Sequence, residues 1–169
     1  MAEPLWSSIY PMLPGKQNDL ELMKSVPVFE GIPERGLSWI RSLSHIRHFK
    51  ENEHIFRRGE PGVGMYIILE GSVEIYRQDQ DHRHTFAVLN TGDFFGELAL
   101  LDDMPRSASA RARSYSRLMG FYRPDLSSVL ARRPRLASLI LLNVARLLGS
   151  RLVATNQELD RLERANGSA

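Results

Sequence analysis

The chain has 169 residues, 43% of them hydrophobic and 25% charged, values typical of a globular protein with a core of ordinary size. It contains no cysteine, which excludes disulfide frameworks, thiolate metal sites and iron–sulfur clusters. The formal net charge is only +2, so composition gives no strong overall field that would attract nucleic acid.

The amino-terminal segment, Met1 to Pro14, has neither a basic start nor a continuous apolar run, so it is not typical of a signal peptide. No window of the sequence approaches the length of apolar residues needed to span a bilayer. The most apolar segment, Leu136 to Leu148, contains Asn143 and Arg146. We therefore predict a cytoplasmic protein without membrane association.

Residues 1–17 are rich in proline and are predicted to form an extended arm. Two short helices are predicted next, from Asn18 to Ser25 and from Pro33 to Leu43, each with apolar residues recurring on one face. Between Ser44 and Tyr122 the apolar period changes to two, and clusters of glycine, proline and aspartate separate the short stretches. This pattern predicts a β-sandwich or a jelly roll with flanking helices.

A long helix is predicted for residues 134–163, after the compact part of the chain at 18–133 and before a polar tail at 164–169. Its apolar residues follow heptad spacing, in the order Leu141, Leu148, Leu152, Thr155, Leu159 and Leu162. We interpret the later part of this seam as the interface of a homodimer. The alternative is a helix that lies only on its own domain.

The most informative segment runs from Phe94 to Ala112. It places Glu97 nine residues before Arg106, with a short apolar turn between them and small residues after the arginine. A carboxylate accepts hydrogen bonds from sugar hydroxyls, and a guanidinium forks onto phosphate oxygens. This pair is therefore suited to holding a small phosphorylated ribose.

The same segment resembles the phosphate-binding cassette of cyclic-nucleotide-binding domains, the family of catabolite activators and regulatory subunits of cyclic-AMP-dependent kinases. The matching positions are Phe95, Gly96, Glu97, Leu98, Ala99, Pro105, Arg106, Ser107 and Ala108. Residues 64–73 are also similar to a strand pair of this family. The resemblance implies an eight-stranded jelly-roll β-barrel with N-terminal helices and a long C-terminal helix. Gene regulators of the family carry a helix-turn-helix after that helix, and we expect a stand-alone domain here.

The resemblance also implies roles for individual residues. Glu97 would accept from the ribose 2′-hydroxyl, and Arg106 would neutralise the cyclic phosphate. The expected ligand-binding residues are Gly96, Glu97, Leu98, Ala99, Arg106, Ser107 and Ala108. Thr155 and Asn156 would cover the base from the long helix. A shift of one helical turn would place Arg151 and Leu152 there instead.

The expected ligand is a cyclic mononucleotide, cyclic AMP in preference to cyclic GMP, with a cyclic dinucleotide as an alternative and no cofactor. We predict a non-enzymatic sensor that relays binding through the C-terminal helix to an unidentified effector protein. Neither a metal site nor a catalytic constellation is predicted, because the histidines are scattered and the serines lack a nucleophile-elbow pattern.

Two competing functions remain open. One is a transcription-type regulator, or another nucleic-acid binder, acting without a helix-turn-helix; the other is an interaction scaffold with a vestigial pocket. Residues 106–135 carry eight arginines and one acid, Asp125. We interpret this run as a solvated surface rather than a nucleic-acid-binding face, because no aromatic residues interleave in a stacking pattern.

Overall fold

The computed structural model describes residues 19–79 and 82–166. The predicted arm at 1–17 and the last three residues of the predicted tail lie outside these ranges. Four α-helices are described: α1 (Asp19–Ser25), α2 (Glu34–Leu43), α3 (Arg123–Arg132) and α4 (Pro134–Asn166). A 3₁₀ turn, Pro27–Phe29, separates α1 from α2. The last helix begins at the proline expected from the sequence, because proline fits the first helical turn, and it continues past Glu163.

The β-structure confirms the predicted fold class. The strands of the described ranges are β1 (His45–Phe49), β2 (His54–Phe56), β3 (Gly64–Glu70), β4 (Ser72–Asp79), β5 (His82–Asn90), β6 (Phe94–Phe95), β7 (Ser109–Ala112) and β8 (Ser116–Tyr122). They form two four-stranded sheets, in the orders β1-β8-β3-β6 and β2-β7-β4-β5. Every described strand pair is antiparallel. The barrel is therefore built from two open sheets whose neighbours are often distant in sequence.

The central position of strand β3 explains why its sequence is apolar without interruption. It lies between β8 and β6, and its residues from Gly64 to Leu69 are all buried. Met65, Ile67 and Leu69 belong to the core beneath the helices, whereas Tyr66 and Ile68 belong to the core between the sheets. Since successive side chains of a strand point to opposite faces, one strand supplies both cores.

Helix α4 has two parts with different surroundings. Ala137, Ile140 and Val144 are fully buried against the first core. Asn143 is also buried, and its Nδ2 donates to the carbonyl oxygens of Val28 at 3.3 Å and Glu30 at 2.8 Å. Gly149 follows, with open space where a Cβ would stand. We call residues 150–166 the outer part of α4; its large apolar side chains Leu152, Val153 and Leu159 are more than half exposed.

Helix α4 is also long and apolar enough, by length and composition, to cross a membrane. An 18-residue window within Pro134–Arg161 has a mean hydropathy of 1.6, and 22% of this window is buried. The expectation that no segment approaches a spanning length was thus wrong on this averaged measure. Composition alone does not establish a membrane span, because core helices of soluble proteins pass the same test.

Candidate ligand-binding site

The segment that resembles the cassette forms a tight turn between the two sheets. Strand β6 ends at Phe95, and Glu97–Leu100 forms a 3₁₀ helix. Gly96 joins them with φ of +81°, a conformation that L side chains rarely adopt. A Cβ at this position would stand 2.6 Å from Nη1 of Arg106. Glycine is required here both by backbone conformation and by the close approach of the arginine.

A cavity of about 820 Å³ opens over this turn. All seven expected ligand-binding residues line it: Gly96, Glu97, Leu98, Ala99, Arg106, Ser107 and Ala108. The second sheet contributes Phe56, Ile75, Phe86, Ala87 and Leu89 to the wall, and helix α4 contributes Arg151. The size lies in the range of small-molecule sites. The structure therefore brings the contiguous cassette together with residues from β2, β4, β5 and α4.

Arg106 is the buried cation of this cavity. Its side chain is 7% exposed, and it donates from Nη1 to the carbonyl oxygen of Gly96 at 3.1 Å and from Nη2 to that of Gly64 at 2.7 Å. Nε is buried without a hydrogen-bond partner. Burial lowers the pKa of Arg106 below its ordinary value, although a guanidinium stays charged in a protein. Within the described ranges no salt bridge joins Arg106 to a carboxylate.

The backbone of Arg106 is held by the loop between β2 and β3. Its amide donates to the carbonyl oxygen of Glu60, and its own carbonyl accepts from the amide of Gly59, both at 2.9 Å. The guanidinium also lies over the ring of Phe56, with Cζ 4.0 Å from the ring centroid. These contacts position the arginine from a segment that the cassette pattern does not include.

Glu97 is the buried anion of the cavity and is 3% exposed. Its Oε1 accepts a hydrogen bond from Nη1 of Arg151 on the outer part of α4. The Cζ atom of Arg151 also lies 6.0 Å from the centroid of the Phe94 ring. The described ion pair of Glu97 is therefore with Arg151 of helix α4. It is not with Arg106, the pairing that would have given these two residues a purely structural role.

The three candidates for covering the base are placed differently. Arg151 lies in the cavity wall. Thr155 and Asn156 are exposed and are not among the cavity-lining residues. The hydroxyl of Thr155 donates to the carbonyl oxygen of Arg151 at 2.9 Å, a bond within the helix. Leu152, which the shifted alignment pairs with Arg151, is likewise exposed and does not line the cavity. In this helix position, therefore, only Arg151 reaches the cavity.

The rest of the cavity rim is mostly apolar and accessible, with Asp102 as an exposed charged member. Leu98 is 52% exposed and Met104 is 65% exposed, and Phe86 and Leu101 are also exposed along the wall. Ser107, the residue that directly follows Arg106, is exposed and carries a hydroxyl group. This arrangement gives one charged end, formed by Glu97 and Arg106, and one apolar end. A ligand with a small anionic group and a flat apolar part fits both.

Sequence analysis did not identify Phe56 or the carbonyl group of Gly64 as parts of the site. Gly64 was noted only for its resemblance to a family strand. A Cβ on Gly64 would stand 2.3 Å from the carbonyl oxygen of Phe121, which explains the glycine by sheet packing and not by the ligand. No sequence signal connects Phe56 with Arg106, because the contact depends on the pairing of β2 with β7.

A jelly roll that buries a glutamate and an arginine at such a turn defines a cyclic-nucleotide-binding fold. The chain belongs to the cyclic nucleotide-binding domain family, whose model matches residues 46–133, just over half of the chain.

Proteins similar to this chain include a putative potassium channel protein of Rhodopseudomonas palustris. It is 38% identical over 69% of this chain and 28% of its own length. The cyclic AMP receptor protein of Thermus thermophilus is 33% identical over 83% of this chain and 63% of its own. The crystal structure of the Thermus thermophilus catabolite activator protein superposes with a TM-score of 0.73 and 33% identity, covering 81% of this chain and 63% of that chain. The chain thus spans less than two thirds of these relatives.

Proposed function

We propose that this protein is a non-enzymatic sensor of a 3′,5′-cyclic nucleotide, with cyclic AMP preferred to cyclic GMP. The observation that carries the proposal is Arg106, a buried guanidinium whose Nε has no hydrogen-bond partner and which makes no described salt bridge, although the charge of Glu97 acts on it. A buried charge is costly unless it is paired, so the site favours an anion at this point. The cyclic phosphate carries one negative charge, which would pair with the guanidinium of Arg106.

Glu97 supports a ribose beside that phosphate. A carboxylate has two oxygens with about four lone-pair sites, so Glu97 can accept from both Arg151 and a 2′-hydroxyl. A 3′,5′-cyclic nucleotide keeps its 2′-hydroxyl free, whereas a 2′,3′-cyclic isomer does not. Ser107 is placed to add a hydroxyl contact to the phosphate or to the base edge.

The apolar rim supports adenine over guanine. Leu98, Leu101, Met104 and Phe86 offer contact area but no hydrogen-bonding groups beyond their backbone. Guanine has more polar groups to satisfy, and each polar group buried without a partner costs free energy. The 33% identity to a protein named for cyclic AMP also favours this ligand.

The relay is proposed to act through Arg151. This residue belongs to the outer part of α4, and it shares the Glu97 carboxylate with the expected ribose. Binding at Glu97 therefore changes the contacts that hold this part of the helix, which is the requirement for a ligand to shift its position. We further propose that the exposed leucines of the outer part contact a second copy of the chain, and that the dimer acts on an effector protein.

Calorimetric titration with cyclic AMP, cyclic GMP and adenosine 5′-monophosphate tests the proposal. We expect binding of both cyclic nucleotides, tighter for cyclic AMP, and little heat with the linear monophosphate. Arg106→Gln should weaken cyclic AMP binding about a hundredfold, the effect expected when one partner of a buried charge pair is removed. Arg113→Gln is the matched control, because Arg113 is exposed and does not line the cavity. If neither cyclic nucleotide bound to the protein, the proposal would be refuted.

A further inference from the structure

The ring of Phe56 is the surface on which the cassette arginine rests. Phe56 is the last residue of β2, and its ring centroid lies 4.0 Å from Cζ of Arg106. The ring is itself held by neighbouring rings, with centroids at 6.2 Å for Tyr66 and 5.8 Å for Phe95. An arginine placed over an aromatic face is attracted to the ring, most strongly where water is excluded.

The other contacts of Arg106 do not define its orientation by themselves. Two carbonyl oxygens, those of Gly64 and Gly96, accept from its two terminal nitrogens. These two hydrogen bonds and the aliphatic stem restrain the group, but among the described residues the aromatic surface that packs against the guanidinium plane is the Phe56 ring alone. The ring therefore limits how far the plane can tilt, and with it the direction of the remaining N–H groups.

We infer that Phe56 is a positioning residue for phosphate recognition, because its ring restrains the plane in which Arg106 presents its N–H groups to the anion. This inference rests on the proposed function for the identity of the anion, although the contact between ring and guanidinium can be measured without any ligand. Positioning through a planar, forked donor is specific to arginine, since lysine offers a point charge without a plane.

A purely structural role for Phe56 predicts a different outcome. The side chain packs against the core between the sheets and also lines the cavity. If it acted only as filler or as wall, its replacement would weaken all ligands of the cavity to the same degree. If it positions Arg106, the loss falls on ligands that carry the phosphate.

The first test compares cyclic AMP with adenosine, which has the same base and no phosphate, by NMR titration. Phe56→Leu is expected to weaken cyclic AMP about tenfold and adenosine less than twofold, because the cost of ordering one long, unheld side chain on binding is of that size. Phe56→Tyr retains the aromatic face and should restore cyclic AMP binding. Phe86→Leu is the control, since Phe86 lines the same cavity and its described ring contact is with His84. Equal losses for the two ligands in Phe56→Leu, or no loss, would overturn the inference.

The second test uses no ligand and separates this inference from the proposed function. The Nε–H resonance of Arg106, assigned by its disappearance in Arg106→Lys, should carry a ring-current shift that Phe56→Leu removes and Phe56→Tyr retains. An unchanged resonance in Phe56→Leu would refute the positioning role, whatever the ligand. If the shift behaves as expected but cyclic AMP does not bind the wild-type protein, the proposed function fails while the contact between Phe56 and Arg106 stands.

Discussion

Arg151 donates a hydrogen bond to Glu97 across 54 positions of sequence, so helix α4 and the cassette meet at one buried carboxylate. The Glu97 side chain is 4% exposed and that of Arg151 is 30% exposed. The pair is therefore more sheltered from solvent than an ordinary surface salt bridge, whose contribution is small. Any ligand that contacts Glu97 also meets the group that ties the helix to it.

Removal of this pair should loosen the outer part of α4. In Arg151→Gln, backbone amides of residues 150–160 should exchange with deuterium about tenfold faster, because a hydrogen bond to a charged group contributes about 1.5–3 kcal/mol. Hydrogen-exchange mass spectrometry measures this change. Arg146→Gln is the control, since Arg146 is exposed on the same helix before Gly149. The same exchange rates in both variants would show that the pair does not hold the helix.

Arg106 is expected to contribute to binding more than to folding. In Arg106→Met, the loss of two hydrogen bonds to carbonyl groups is offset by removal of a buried charge, so the free energy of unfolding without ligand should fall by no more than about 1 kcal/mol. Urea denaturation measures it. Cyclic AMP at a hundred times its Kd should stabilise the wild-type protein by about 2.7 kcal/mol and should not stabilise this variant. A large loss of stability in Arg106→Met without ligand would contradict this balance.

Asp19 should make stability depend on pH in the acidic range. Burial raises the pKa of Asp19, but hydrogen bonds and charges from Arg117 and Arg41 outweigh burial and leave the pKa below 3.8. The N···O distances are 3.0 Å to Arg117 and 2.8 Å to Arg41. Because the folded-state pKa is the lower one, the carboxylate stabilises the fold above about pH 4, and this contribution disappears as pH falls through the folded-state value.

Asp19→Asn should therefore unfold at a lower temperature than the wild-type protein at pH 7, and the difference should shrink as pH falls below about 4 and vanish below the folded-state pKa. Thermal denaturation at several pH values tests this, with Asp160→Asn on the exposed outer part of α4 as the control. A difference in Tm that is constant with pH would exclude the ion pairs as its origin.

The exposed leucines of α4 predict self-association. Leu152 and Leu159 are 62% and 52% exposed and lie seven residues apart, the repeat of a coiled-coil seam. A Leu152→Glu, Leu159→Glu variant should sediment as a monomer at concentrations where the wild-type protein is a dimer, since charges in such a seam are disfavoured. Gln157→Glu, on an exposed position of the same helix, should not change the mass. If the wild-type protein were a monomer, the proposed dimer through the outer part of α4 would be refuted.

The features most accessible to prediction from the sequence are those that are contiguous along the chain. The cassette from Gly96 to Ala108 is one segment whose chemistry and spacing are visible together, and all of its expected residues line one cavity. The β-fold was equally accessible, because alternation and turn residues are local. Strand β3 is a good example, because its apolar run is continuous in the sequence and is buried from Gly64 to Leu69 in the structure.

The contacts made across the fold were less accessible. Phe56 meets Arg106 only because β2 pairs with β7, and sequence spacing carries no information about that register. The residue of α4 that faces the cavity depends on the rotation and starting angle of a long helix. A shift of one turn exchanges Arg151 for Thr155, so two assignments stayed open, and in the structure Arg151 lines the cavity.

The continuity of α4 gives the site a mechanical reach beyond its own size. The outer part from residue 150 to residue 166 is about 25 Å long at a rise of 1.5 Å per residue. Arg151 lies at the start of this outer part, close to Gly149, so a change in its contacts acts near the point from which the outer part would tilt. A tilt of about 10° at that point displaces the far end by roughly 4 Å over this length. In the proposed relay, a change at one carboxylate would therefore produce a movement of several ångströms at the far end of the helix.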